Sequence, residues 1–195
     1  MKLEFWFDFA STYSYLSALH ITNKAGKAGV AVVWHPFLLG PIFGSQGWTT
    51  SPFNIFEAKG INMWRDMERQ CIALNLPLVR PDPFPQNSLS AARVAVAGSD
   101  EPWLADFCVS VFKAQFAEGK NISEETILRQ SLASVGADSE YWLEKIKTPA
   151  IKDALKLRTE NAQNLDIFGA PSFIVGDELF WGNDRLDQAI EWASR

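Results

Sequence analysis

Two serines, Ser11 and Ser14, stand three apart where an apolar run, Lys2 to Phe9, gives way to a helical pattern. In open α/β sheets the junction between a strand's carboxyl end and the next helix is where ligands sit. The spacing is that of a Cys-x-x-Cys pair, but hydroxyls stay protonated at neutral pH and cannot cycle through a disulfide. What remains is a set of free N–H groups and the positive end of a helix dipole, a setting that suits an anion. A thiolate fits such a place. The chain's own cysteines, Cys71 and Cys108, fall inside distant helical patterns and read as buried, reduced thiols. The sulfur would therefore arrive on a cofactor. Ser11 is also a favoured N-cap, and Ser14 an ordinary first-turn residue, so the residues alone leave both readings open.

Three further places carry polar or backbone chemistry. Ala170-Pro171 directly precedes a β pattern. An X-Pro bond there is extended and sometimes cis. A cis bond would turn the backbone of Ala170 toward a ligand as an added strand does; a trans, strand-initiating proline is the other reading. Asn183 and Asp184 fall at a helix start. They either cap that helix, or Asp184 captures a cationic amine. Lys59, Asp66 and Arg69, at spacings of seven and three, permit a shared helix face, either functional or a solvated salt-bridge face. The two histidines, His20 and His35, are too few for a His-based metal site, and no metal is expected.

These groups must be positioned by the surrounding elements. Lys2–Phe9 reads as a buried strand, Ala10–Thr12 as a turn, Tyr13 to about Lys27 as a helix, and Val30–Phe37 as a second buried strand. Two strands joined by one helix make a right-handed, parallel βαβ unit. Gly40–Pro52, rich in Gly and Pro, reads as a mobile loop carrying Phe43 and Trp48, a pocket wall or lid. Helical periodicity follows near 54–75, 87–98, 101–118, 123–136 and 139–164. The chain then returns to β structure at Ser172–Val175, turns at Gly176-Asp177, pairs through Glu178–Trp181 and ends in a helix over Arg185–Ser194. The order βαβ, helices, ββα is an α/β thioredoxin fold with an inserted all-helical domain. Residues 1–40 and 165–195 form the thioredoxin-like part, and 41–164 the insertion.

Composition removes several classes of function. A chain of 195 residues, 47% apolar and 21% charged, forms an ordinary globular core. Its net charge of -5 and lack of a Lys/Arg block give no support for nucleic-acid or membrane-surface binding. No run approaches the roughly 20 apolar residues of a membrane span. The opening Met1-Lys2-Leu3-Glu4-Phe5 lacks signal-peptide features, so a cytoplasmic location is expected. Eight Trp and fourteen Phe exceed simple core filling and suit an apolar pocket for a flat ligand.

Several segments, in order, look like one family. They are Phe7-Asp8-Phe9-Ala10-Ser11-Thr12-Tyr13-Ser14-Tyr15-Leu16, Ser51-Pro52-Phe53-Asn54, and Lys59-Gly60 with Met63-Trp64-Arg65-Asp66-Met67-Glu68-Arg69. Next come Phe84-Pro85-Gln86-Asn87-Ser88, Phe168-Gly169-Ala170-Pro171-Ser172-Phe173, and Trp181-Gly182-Asn183-Asp184-Arg185-Leu186. Together they resemble the 2-hydroxychromene-2-carboxylate isomerases, relatives of the kappa-class glutathione transferases in the DsbA-like thioredoxin superfamily. The resemblance implies glutathione as cofactor, with its sulfur at Ser11. It implies that Asn54 holds part of the tripeptide, that the backbone of Ala170 before a cis Pro171 pairs with the cysteinyl unit, and that Asn183 and Asp184 bind the γ-glutamyl end. It also implies a small aromatic substrate, approached by Lys59, Trp64 and Arg80, with Lys59 or Arg80 holding a carboxylate, and a homodimer. Two positions depart from the pattern: Thr12 stands for a common proline, and Asn62 for a common tyrosine before the Met-Trp pair. The alternatives are a kappa-like transferase or peroxidase acting on another electrophile and a non-catalytic glutathione- or peptide-binding module. A disulfide oxidoreductase fits least, because both cysteines are misplaced.

Overall fold

Aromatic and β-branched residues dominate Lys2–Phe7 and Ala31–Pro36, and they form strands β1 and β2. The computed structural model describes residues 1–195. Leu3, Phe5 and Phe7 on one face of β1, and Trp6 on the other, are almost wholly buried, as befits a central strand covered on both sides. β1 and β2 run parallel, with Lys2 opposite Ala31 and Phe7 opposite Pro36. Helix α1, Thr12–Lys27, connects them and ends where Gly29 takes a φ of +70°. Strands β3, Ser172–Val175, and β4, Glu178–Trp181, form an antiparallel hairpin, and β3 pairs antiparallel with β1. The sheet order is β2-β1-β3-β4. Phe5 fixes this arrangement: its ring lies 5.0 Å from Phe7 and 5.6 Å from Phe173, its partner across β3.

Between β2 and β3 the chain is helical. The helices are α2 (Leu39–Ser45), α3 (Pro52–Ile55), α4 (Glu57–Leu74), α5 (Leu89–Ala97), α6 (Leu104–Phe116), α7 (Glu125–Ser134), α8 (Ser139–Lys145) and α9 (Pro149–Asn164). A 3₁₀ turn, Asn183–Arg185, leads into α10, Leu186–Ala193. Two sequence expectations change here. The segment 40–52, expected as loop, carries α2, which buries Ile42 against Trp6, Phe37 and Ala162. The single helix expected over 139–164 is two helices. Pro149 has no N–H to donate and opens α9, while Thr148 before it is extended (φ -67°, ψ 147°). Gly60 has its own steric reason: a Cβ there would lie 2.2 Å from the carbonyl oxygen of Phe53, so only glycine lets α3 meet α4.

One core of 38 buried residues runs from the sheet into the helices. Phe7 and Phe9 pack on Phe112 of α6, with ring centroids 5.8 and 5.0 Å apart. The opposite face of the sheet is covered by Ala162 of α9 with Ile167, against Trp6 and Ile174. At the edge of that face His35 stacks on Trp6 at 4.4 Å, and its Nδ1 accepts from the Arg158 guanidinium at 3.0 Å. Burial, and then the Arg158 charge, push its pKa down to about 4. Glu4 Oε2, 3.6 Å from Nε2, does not reverse this, because a proton on Nδ1 would face the guanidinium.

A depressed folded value means that the unfolded chain takes up the proton first. The stability that neutral His35 contributes is complete above the ordinary histidine pKa and is lost as pH falls from about 6.5 towards 4. Urea midpoints measured across this interval are expected to fall, by up to about 3 kcal/mol in unfolding free energy. His35→Asn is expected to flatten that part of the profile.

Candidate active site

Ser11 is held from three directions. Its N–H donates to the Asp8 carbonyl oxygen at 3.0 Å, which forms the tight turn after β1. Its Oγ accepts from the Ser14 N–H at 3.2 Å, so it is the N-cap of α1 in extended conformation. Its hydroxyl donates to the Ala170 carbonyl at 2.9 Å, joining residues 159 apart. The Ala170–Pro171 peptide is cis. The Ala170 N–H donates to no protein group. Ser11 is 8% exposed and opens on a cleft of about 1160 Å³. The capping and the chemical readings of Ser11 thus meet in one atom: the cap occupies a lone pair, and the proton remains free to turn towards a ligand.

Beside Ser11 lies Asp8, a cleft residue that is only 4% exposed. Its Oδ1 accepts from Ala10 N–H at 2.9 Å and Ser88 Oγ at 2.6 Å, and its Oδ2 accepts from Leu39 N–H at 2.7 Å. Burial raises its pKa above the ordinary carboxylate value despite these three donors.

Part of the cleft lining carries two carboxylates, Asp66 and Asp184. Tyr13 and Gln70 also line the cleft. The Tyr13 hydroxyl donates to Asp66 Oδ2 at 3.0 Å; burial, with this bond and the Asp66 charge, raises the phenol's pKa and keeps its proton in place. Burial pushes Asp66 upward, but hydrogen bonds from Gln70, Tyr13 and Arg69 outweigh it and hold the carboxyl below its ordinary value. Asn183 is a strut: its Oδ1 accepts from Ser17 Oγ at 2.9 Å and its Nδ2 donates to Gln70 Oε1 at 3.1 Å. Asp184 beside it is exposed, with Arg185 3.8 Å away.

The expected site residues divide into two groups. Ser11, Lys59, Ala170, Pro171, Asn183 and Asp184 come together around the cleft. Asn54, Trp64 and Arg80 gather behind its wall instead, around Phe84. Asn54 Nδ2 donates to the Phe84 carbonyl at 3.1 Å, Trp64 packs edge-on against the Phe84 ring at 4.8 Å, and the Arg80 guanidinium lies 5.0 Å from the Trp64 ring. Asp8, Tyr13, Gln70 and Ser88 were not singled out in the sequence. A lone acid closing the apolar run of β1 is the one local signal that marked Asp8. Cys71 and Cys108 are 2% and 0% exposed, lie outside the cleft lining, and are raised in pKa by burial.

A hydroxyl-headed first helix, a cis X-Pro bond before β3 and a sheet of order β2-β1-β3-β4 together define a recognisable site. Residues 2–191 match the family model of the DSBA-like thioredoxin domain. The chain belongs to the DSBA-like thioredoxin family. Within it, the chain is 27% identical over 186 residues to the 2-hydroxychromene-2-carboxylate isomerase of Sphingobium xenophagum, covering 95% of this chain and 94% of that one. It is 25% identical to the glutathione S-transferase kappa 1 of Homo sapiens, covering 95% of this chain and 87% of that protein. In structure, this DSBA-like fold superimposes on a 2-hydroxychromene-2-carboxylate isomerase with a TM-score of 0.89 at 24% identity, covering 98% of this chain and 94% of the other. No helix is long and apolar enough to cross a membrane.

The strut and its neighbour differ in what they hold. Asn183→Ala leaves the Ser17 hydroxyl, in a residue 0% exposed, and the Gln70 Oε1 without partners. It is expected to cost about 1–3 kcal/mol in urea unfolding. Asp184→Ala, at an exposed position, is expected to leave the midpoint within about 0.5 kcal/mol of the parent.

Proposed function

We propose that this protein is a glutathione-dependent isomerase of unsaturated aromatic 2-oxo acids, of the 2-hydroxychromene-2-carboxylate type. The observation that carries the reading is the Ser11 hydroxyl, at the head of α1 and in the wall of a large cleft, with both cysteines buried elsewhere. The isomerase and transferase names of the relatives support it.

The residues fit the tripeptide. The Ala170 N–H has no protein acceptor, and Asp184, in the cleft lining, offers a carboxylate to an ammonium group. The cleft, at about 1160 Å³, exceeds the roughly 300–1,000 Å³ typical of a pocket for one drug-sized ligand, so a tripeptide and a substrate can share it. Bound there, glutathione supplies a thiolate able to add reversibly to an electron-poor carbon, which makes a double bond transiently single and free to rotate.

The chain's part is to make that thiolate available. A free thiol has a pKa near 8.5, and lowering it by about two units takes roughly 2.7 kcal/mol. A helix N-terminus contributes about 0.3–1 kcal/mol, up to about 2 when sheltered. A hydrogen bond to a charged group adds about 1.5–3 kcal/mol. At the middle of these ranges neither reaches that figure alone, and together they do. To make that bond, the Ser11 proton leaves the Ala170 carbonyl and turns to the anion, while Oγ keeps capping Ser14. Ser11 forms no covalent bond of its own. Lys59, the lysine of the cleft wall, is placed to hold a substrate carboxylate. The reading includes a homodimer acting in the cytoplasm, supported by the resemblance of the motifs.

Isomerisation returns glutathione; transferase and peroxidase chemistry consume it. Incubation with 2-hydroxychromene-2-carboxylate is expected to give the open-chain isomer at constant glutathione concentration, and stoichiometric loss of the thiol would establish the transferase reading instead. Ser11→Ala is expected to abolish the thiolate absorbance of bound glutathione at neutral pH and to lower kcat/KM by about 10- to 100-fold, the equivalent of one charge-assisted hydrogen bond. Asp184→Ala is expected to weaken glutathione binding about tenfold in calorimetry, matching the loss of one ion pair in a half-open site.

A further inference from the structure

The carboxyl group of Asp8 bonds to three segments that line the cleft. Oδ1 holds the turn carrying Ser11, through the Ala10 N–H at 2.9 Å, and the head of α5, through Ser88 Oγ at 2.6 Å. Oδ2 holds the first residue of α2, through the Leu39 N–H at 2.7 Å. These attachments span 31 and 80 residues of chain. Asp8 and Ser88 are 4% and 6% exposed, so water does not substitute for them.

The elements so joined are those that need external fixing. Helix α2 is short, Leu39–Ser45, and its N-cap residue, Leu38, offers no side-chain acceptor to the free N–H groups of its first turn. Asp8 satisfies one of them from outside. At α5, Ser88 precedes the helix without making a capping bond and donates its hydroxyl to Asp8, while Asn87 Oδ1 accepts from the Leu89 N–H at 3.0 Å. Leu39, Gly40, Pro41 and Phe43 of α2, and Ser88 and Leu89 at α5, all line the cleft. An ordinary hydrophobic contact would place these walls loosely. Three directional bonds to one rigid group place them relative to Ser11 within a few tenths of an ångström.

We propose that Asp8 is a positioning residue, whose carboxyl group clamps α2 and α5 to the Ser11 turn and so sets the electrophile side of the cleft. This rests on the functional reading above for the identity of the electrophile, and on the three hydrogen bonds for the clamp itself. The tripeptide side, built from Ala170 and the Asp184 turn, is not tied to Asp8. The bonds to Ser88 and Leu39 act on substrate placement, while the bond to the Ala10 N–H acts on the Ser11 turn.

Asp8→Asn tests this with almost no change of volume. An amide that keeps its oxygen on Ala10 and Ser88 turns its NH₂ against the Leu39 N–H, and α2 is released. The expected result is a KM for 2-hydroxychromene-2-carboxylate raised about tenfold, the equivalent of one buried hydrogen bond. Over the same comparison the calorimetric affinity for glutathione falls by less than the KM rises, and hydrogen exchange at the Leu39 amide becomes at least about tenfold faster. A KM and an exchange rate equal to those of the parent overturn the proposal, as does an equal loss of glutathione affinity. Should Asp8→Asn not fold by circular dichroism, Ser88→Ala takes its place. That variant frees only α5, so faster exchange at the α5 amides and a KM raised about threefold support the clamp, and parental values in both overturn it. If the parent protein turns over no 2-hydroxychromene-2-carboxylate, the functional reading falls, and the Leu39 exchange rate still decides on Asp8.

Discussion

The hydroxyl of Ser11 carries two hydrogen bonds of opposite sense, and the site depends on their coexistence. As acceptor it caps α1, 3.2 Å from the Ser14 N–H; as donor it reaches the carbonyl of Ala170, 2.9 Å away and 159 residues later in the chain. The first bond fixes where the oxygen sits. The second fixes how far the segment before β3 stands from the helix head. Both follow from the sheet, because β3 lies beside β1 in one register, with Trp6 opposite Ser172 and Phe5 opposite Phe173. A slip of one residue would turn Phe173 away from Phe5 and carry Ala170 off the helix head. The Phe5–Phe7–Phe173 aromatic stack makes that slip expensive.

Charge in the cleft is distributed to the same end. An anion beside Ser11 would meet the Asp8 carboxyl as a like charge. Asp8 is buried and raised in pKa, and its oxygens are occupied by the Ala10 and Leu39 N–H groups and the Ser88 hydroxyl, which partly offset its charge. The unambiguous negative charge sits on Asp66, held ionised by Gln70, Tyr13 and Arg69. Tyr13 spans the two regions. It follows Thr12 in the first turn of α1, and its phenol, protonated and committed to Asp66, turns outward only lone pairs. The cleft therefore has one pole that welcomes an anion and another that welcomes a cation. On the proposed function, the zwitterionic, thiol-bearing peptide meets both at once.

What the sequence disclosed and what it hid differ in range. The strand–serine–helix junction, the Ala170-Pro171 approach to β3 and the Gly176-Asp177 hairpin were legible because each is written within a few residues. The break at Pro149 was local too, yet periodicity ran through it and suggested one helix where there are two. Helix α2 defied its composition for a tertiary reason: Ile42 has Trp6, Phe37 and Ala162 to pack on, and Leu39 has Asp8 to donate to. The polar struts were invisible for the same reason. Nothing near Asn183 in the chain announces Ser17 or Gln70, 166 and 113 residues away. Asn54 and Trp64 meet at Phe84, and Arg80 stacks on Trp64, contacts between segments that no local pattern announced.

The two departures from the family pattern can now be weighed by where they lie. Thr12 fills the first position of α1, where proline is accommodated because its missing N–H is not needed. Threonine keeps the helix entry and adds a contact: its Oγ1 meets the Met63 sulfur at 3.4 Å, tying α1 to α4 at a site only 2% exposed. Asn62, next to Met63, is exposed and outside the cleft lining, so its exchange for tyrosine leaves the cleft wall intact. Selectivity must then come from the aromatic groups that do reach the cleft. Phe43 and Trp48, 5.8 Å apart, form one rim between α2 and α3; Phe168 and Trp181, 4.9 Å apart and both about half exposed, form the other beside Ala170. The second rim is closely set, because a Cβ on Gly169 would come within 2.4 Å of the Trp181 indole nitrogen. The first hangs on α2, which Ile42 packs against Trp6, Phe37 and Ala162 and which the Leu39 N–H ties to the Asp8 carboxyl. On the proposed function, a flat aromatic substrate lies between a fixed rim and a tethered one and is discriminated chiefly by the tethered one, far along the chain from Ser11.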